Sequence, residues 1–344
     1  MGIASKFWSV RFARWPRRRR PLRPGYTLLL PVPGDLPVFL DLALAVCRLQ
    51  AHEHRKATLV LPDRPSTAVC EAVAREAVSW PGGGLELHEL PLVDRLLLPR
   101  LNDPGRNHGA QIIAGVAAAA TEHVLLHDAD LFMLDDRLHD SLVETAVRRG
   151  VDVLGISPAW DGWYAERGRE LAATWEQTTR TEWLRRYPPH RHIGHEAAVD
   201  GGTHVFDTTF WAQYASDPSQ VAVVADAAEG VVHFNYVIST YRRFQRSTER
   251  TYDNNYRLLL IRLLVDLFDR SGASYDVPGL DELARGLPPS PAVEARVLYD
   301  RDAGGYDDFR EKVSRILAGR WVDPGRARRA ETLLRPFDEA LARG

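Results

Sequence analysis

Two aspartates one residue apart close an apolar run in HVLLHDADLFML, residues 123–134. Carboxylates this close repel one another and are costly to bury unless a cation or solvent compensates them. A divalent ion would do so. Hard oxygen ligands suit Mg²⁺ or Mn²⁺, which keep coordination positions open for waters and phosphate oxygens and can neutralise a departing diphosphate. The plainer alternative for an isolated Asp-x-Asp is that Asp128 caps the following turn while Asp130 is solvated. If the strand ran on through the pair, its two-residue period would put both carboxylates on one side, with His127 and Ala129 on the other.

The surrounding elements must deliver that pair to a common place. YTLLLPVPGD from Tyr26 reads as strand and turn, and LPVFLDLALAVCRLQA follows with helical spacing. ATLVLPDRPS and TAVCEAVAREAV repeat the unit. GGGLELHEL supplies a third strand, NHGAQIIAGVAAAAT a tightly packed helix, and HVLLHDAD a fourth strand. Alternation of this kind predicts an α/β fold with a mostly parallel central sheet flanked by helices, in which ligands bind beyond the carboxyl ends of the strands. VDVLGISP at 151 reads as a further strand, WDGWYAERGRE as the start of a long helical region, and VVHFNYVISTYRRF at 231 as a strand with an aromatic continuation. From Thr251 the pattern is mainly helical, which predicts a C-terminal helical extension.

LLLPVPGD, LVLPD, RNHG and VLLHDADLF, in that order over about positions 26–134, resemble the GT-A fold glycosyltransferases, with a looser match onward to about 240. The resemblance implies an enzyme that moves a sugar, of hexosyltransferase type, from a nucleotide-sugar donor to an acceptor. It implies that Asp130 binds Mn²⁺ or Mg²⁺ directly, that Asp128 contacts ribose or metal, and that Asp63 contacts base or ribose. Arg106 and Asn107 resemble the Arg-Asn-x-Gly segment of the inverting family that includes cellulose synthases. The interval from Asn107 to Asp128 is several residues longer than that family shows, so the family within the fold stays open. Many enzymes of this fold complete the metal site with a later histidine, for which His233 is the first candidate and His204 the second. A catalytic base is sought about seventy residues past the pair, where Asp200 precedes a Gly-Gly bend, with Glu196 in reserve. Each of these residues has a plain alternative, a satisfied core histidine or an Asx turn. His190, His192 and His195 have chelating spacing, but the prolines around them favour a solvated loop. Trp160 and Trp163 offer flat faces for a sugar ring, or core packing.

Competing readings leave marks that this sequence lacks. A haloacid-dehalogenase-like phosphatase would open with its Asp-x-Asp and continue into Thr, whereas here Leu131-Phe132 follow. A sugar nucleotidyltransferase would place a Gly-rich basic loop after the first strand, where PVPGDLP stands. A non-catalytic interaction protein on a degenerate version of the fold would bind no nucleotide in a metal-dependent way.

With 344 residues, 45% of them apolar, the chain can bury a large core. The net charge is −2, yet the first 23 residues hold eight bases and no acid, leaving 36 bases against 46 acids in the rest. This arm, SKFWSVRFARWPRRRR, interleaves aromatics with bases, as a segment lying on an anionic membrane surface would through residues 6–20, or as a solvated basic tail would. Nothing in the body supports a nucleic-acid partner. Cys47 and Cys70 read as reduced core residues, and no apolar run is long enough for a leader or a span, so a cytoplasmic protein, peripheral to the membrane at most, is expected. The expected organisation is an arm over 1–24, a domain over 25–250 with a nucleotide-sugar half (25–135) and an acceptor half (136–250), and helices over 251–344.

Overall fold

The computed structural model describes residues 8–15, 21–101, 103–246, 255–299 and 305–341. Strand β1 (Arg23–Val32) is followed by α1 (Pro37–Leu49), β2 (Arg55–Pro62), α2 (Thr67–Ala77), β3 (Gly84–Leu87), α3 (Leu92–Leu101), α4 (Pro104–Ala118) and β4 (Thr121–His127). Helix boundaries follow local chemistry. Ser66 accepts the Val69 amide ahead of α2, and Asp103 accepts that of Arg106 ahead of α4, whose first residue is a proline. Then come β5 (Leu131–Met133), α5 (Leu138–Arg149), β6 (Val153–Gly155), α6 (Gly162–Ala165), β7 (Glu176–Arg180), α7 (Thr181–Arg186), the hairpin β8 (His195–Val199) and β9 (Gly202–Phe206), α8 (Phe210–Ala215), β10 (Val221–Val223) and β11 (Val231–His233).

Seven strands form the central sheet in the order β10-β6-β7-β4-β1-β2-β3. Every pairing is parallel except those of β7, which runs against both β4 and β6. The mostly parallel sheet expected from the alternation is therefore present. Residues 176–180, expected to be helical, instead form this one reversed strand. EQTTR carries no apolar signal because its polar side chains are satisfied internally: Gln177 donates to the Ala172 carbonyl at 3.2 Å and Thr178 to that of Val124 at 3.5 Å. Strand β11 is short, and the aromatic continuation past it is helical. A turn at Asn235–Tyr236 leads into α9 (Val237–Arg246).

The C-terminal helices are α10 (Asn255–Phe268), α11 (Leu280–Arg285), α12 (Tyr306–Leu317) and α13 (Pro324–Leu341). They pack against the rest of the chain. Leu258, Ile261, Phe309, Leu334 and Phe337 share one hydrophobic core with Leu28, Leu30, Phe39 and Leu44. Residues 8–15 are likewise built in. Trp8 and Phe12 are buried against Leu98, Ala110, Ile113 and Ile193, Trp15 donates to the Tyr187 carbonyl at 2.7 Å, and Arg11 grips Asp94 through bonds of 3.1 and 2.7 Å. Across this stretch the arm's aromatics face the protein rather than a membrane surface; Lys6, Phe7 and residues 16–20 lie outside the described residues. No described helix is long and apolar enough to cross a membrane.

Candidate metal and nucleotide site

Beyond the carboxyl ends of β1, β2 and β4 lies a cavity of about 330 Å³, walled on one side by the start of α4 and on another by the segment from His233 to Arg242. Strand β4 stops at His127, so the acidic pair does not continue it. The Asp128 amide donates to the Trp175 carbonyl at 2.9 Å, and the Leu131 amide returns to the Asp128 carbonyl at 3.1 Å, turning the chain into β5. This turn, rather than a two-residue strand period, sends both carboxylates into the cavity. Strand β5 pairs with β11 so that Leu131 faces His233, which brings the His233 Nε2 to 3.5 Å from Asp130 Oδ1. Ligand atoms of Asp128, Asp130 and His233 all lie within 4.8 Å of one another. Two hard carboxylates and one imidazole, with open cavity beside them, fit a divalent ion of the Mn²⁺ or Mg²⁺ class. The His233 ring is held by Trp175, centroid to centroid 4.4 Å.

His127 does not face the cavity. It is wholly buried behind it, its Nδ1 2.6 Å from Glu176.

Asp63 sits at the end of β2 with both oxygens engaged. Oδ1 accepts the Gly34 amide at 2.9 Å, and Oδ2 accepts from Asn107 Nδ2 at 3.0 Å and from Arg242 Nη2 at 3.2 Å. A side chain at Gly34 would collide with the Arg64 backbone, with a Cβ only 1.5 Å from its carbonyl oxygen, so this approach of the two loops requires glycine. Arg242, almost fully buried, also pairs with Asp35 and thereby ties α9 to the β1 and β2 loops. Gln111 donates to the Val32 carbonyl at 2.9 Å and holds α4 against the end of β1. Asp63, Asn107, Asp128, Asp130, His233 and Trp160 thus line one cavity.

Other candidates fall elsewhere. Arg106 lies one residue from Asn107 on α4 and turns away, its Nε 3.6 Å from Asp103, toward a second cavity of about 620 Å³ that Glu196 also lines. Asp200 and Gly201 form the two-residue loop of the β8–β9 hairpin with φ of 51° and 78°; the Asp200 carboxylate is exposed, 3.7 Å from Arg167. It is a turn residue, not a base facing the acidic pair. His204 stacks on Trp163 at 3.7 Å and approaches the Tyr164 hydroxyl at 3.2 Å, so both belong to an aromatic cluster apart from the pair. His192 is buried, donating to the Leu184 carbonyl at 2.7 Å, and His195 approaches the Ile193 carbonyl at 2.8 Å, so PHRHIGH is neither a solvated loop nor a chelating set.

Three cavity residues escaped the sequence reading. His108 places Nε2 3.0 Å from Asp128 Oδ1. Burial opposes its cation, but Asp128, Asp207 and Asp130 together raise its pKa above that of a free imidazole. Asp207 lines the cavity from the β9–α8 connection, and its only sequence signal, VFDTTFW, is that of a helix-capping aspartate. Arg242 lies in the aromatic continuation past β11, where nothing in the sequence marks it as a site residue.

No family model matches the chain, and no curated relative does. Solved structures similar to it include a mannosyltransferase from Pyrobaculum calidifontis in complex with GDP-Man and Mn²⁺, at 16% identity and TM-score 0.36 over 54% of this chain and 55% of that one. A glucosyl-3-phosphoglycerate synthase from Mycobacterium tuberculosis, in complex with Mn²⁺, UDP and glucosyl-3-phosphoglycerate, matches at 15% and 0.33 over 47% and 58%. TarS of S. aureus in complex with UDP matches at 11% and 0.35 over 76% and 69%. The match thus spans little more than half the length of the first two.

Proposed function

We propose that the chain is a metal-dependent glycosyltransferase of the GT-A type, taking a nucleotide-sugar as donor. The observation that carries this reading is the convergence of Asp128, Asp130 and His233 in a cavity that Asp63 and Asn107 also line. When bound by these three side chains, a divalent cation would supply the charge that makes a nucleoside diphosphate a good leaving group. Asp63, preset by Gly34, Asn107 and Arg242, offers its carboxylate edge to the hydroxyls or base of the nucleoside. Trp160, half exposed and resting on Phe210 at 5.2 Å, offers a flat apolar face to a sugar ring. Asp207 takes the role first given to Asp200: unlike Asp63, whose oxygens are engaged by Gly34, Asn107 and Arg242, it is a cavity carboxylate outside the metal set, and it accepts the proton of the acceptor hydroxyl if the reaction inverts.

The test is a panel of nucleotide-sugars scored for Mn²⁺-dependent hydrolysis and for protection against heating. One or more should respond in the wild type, and Asp130→Asn should abolish the response. A panel in which no compound responds, or a response untouched by Asp130→Asn, overturns the reading and would leave a non-catalytic interaction protein as the better description.

A further inference from the structure

A second group of donors lies on the far side of β4 from the cavity. Cys47 on α1, His127 at the end of β4 and His139 on α5 place one ligand atom each within 4.8 Å of one another, and all three are buried. Glu176 of β7 stands between the two imidazoles, Oε2 2.6 Å from His127 Nδ1 and Oε1 3.1 Å from His139 Nε2. A carboxylate so placed accepts the His127 Nδ1 proton and faces His139 Nε2 at ion-pair distance, which leaves His127 Nε2 and His139 Nδ1 as lone-pair donors. Neither of those atoms meets hydrogen-bond geometry with a partner among the described residues, and His127 interacts directly with the Cys47 thiol. Buried imidazole nitrogens are seldom left unpaired, and here two sit beside a thiol.

We infer that Cys47, His127 and His139 form a structural binding site for a zinc-class ion, with Glu176 as the carboxylate that orients both rings. The donor set separates it from the cavity site. Sulfur and imidazole suit Zn²⁺, whereas the two carboxylates at Asp128 and Asp130 suit Mn²⁺ or Mg²⁺. Binding forms the sulfur–metal bond as the Cys47 thiol releases its proton to solvent. The consequence is mechanical: the ion would pin α1, β4 and α5 together one residue before Asp128.

The full chain, expressed with zinc and washed with EDTA, should keep about one tightly held zinc per molecule by elemental analysis. Asp130→Asn should keep it too, while Cys47→Ser and His139→Gln should lose it. Because either variant could unfold, the wild type loaded with Co²⁺ provides a second readout, a thiolate-to-cobalt absorption band that an oxygen-rich site cannot give. Wild-type protein without retained zinc, zinc content unchanged by Cys47→Ser in a folded variant, or a Co²⁺ spectrum without the sulfur band would each show a hydrogen-bonded core network only and overturn the inference.

Discussion

At the scale of single residues, the proposed site divides groups that would hold a cation from groups that would handle the reacting hydroxyl, and substitutions should separate them. Asp207→Asn should lower kcat by about 10²–10⁴-fold while leaving Mn²⁺-dependent nucleotide binding intact, the pattern of a lost general base. Asp200→Asn, at an exposed hairpin loop, should leave kcat within about twofold. Steady-state kinetics beside nucleotide titration checks both, and equal losses for the two variants would reject the assignment. The contrast also marks how far the sequence could be read. Asp128 and Asp130 stood out because they end an unmistakably apolar strand. Asp207 did not, because a capping aspartate looks the same whether or not a hairpin and a loop carry it some eighty residues back to the acidic pair.

At the scale of elements, the first four strands were legible because each apolar run ends in a turn and hands on to a helix-spaced segment. Strand β7 was not, because it is central and its polar side chains find partners only in three dimensions. The segment over residues 8–15 misled for a related reason: aromatics among arginines suit a lipid surface and an internal groove equally well until the groove is seen. Trp8→Ala or Phe12→Ala should cost about 3 kcal/mol of unfolding free energy, as large-to-small core substitutions do. Urea unfolding measures this directly, and a loss below about 0.5 kcal/mol, typical of surface positions, would mean that the segment does not dock.

At the scale of the whole molecule, the C-terminal helices share a continuous interior with the sheet, and the segment over residues 8–15 packs against α4. β7 and β6 complete a sheet begun by β1, and α10 to α13 cover the same core as α1. Acid should therefore act on the fold as one unit. His192 is buried with its pKa pushed down to about 4, mainly by desolvation. It stays neutral in the folded chain while the unfolded chain binds a proton below its ordinary value near 6.5. The contribution is complete above that value and is lost as pH falls toward about 4, about 2 kcal/mol of it between about pH 7 and about pH 5. His192→Gln should flatten that part of the stability profile, and an unchanged slope from pH-dependent urea titrations would count against it.

The docking of residues 8–15 has one more consequence. Helix α4 turns Asn107 toward the cavity and Ala110 and Ile113 toward Trp8 and Phe12, so a single rod is held from front and rear at once. An antibody or engineered peptide that peels the segment away would slacken that wall of the cavity from behind, without approaching the acidic pair.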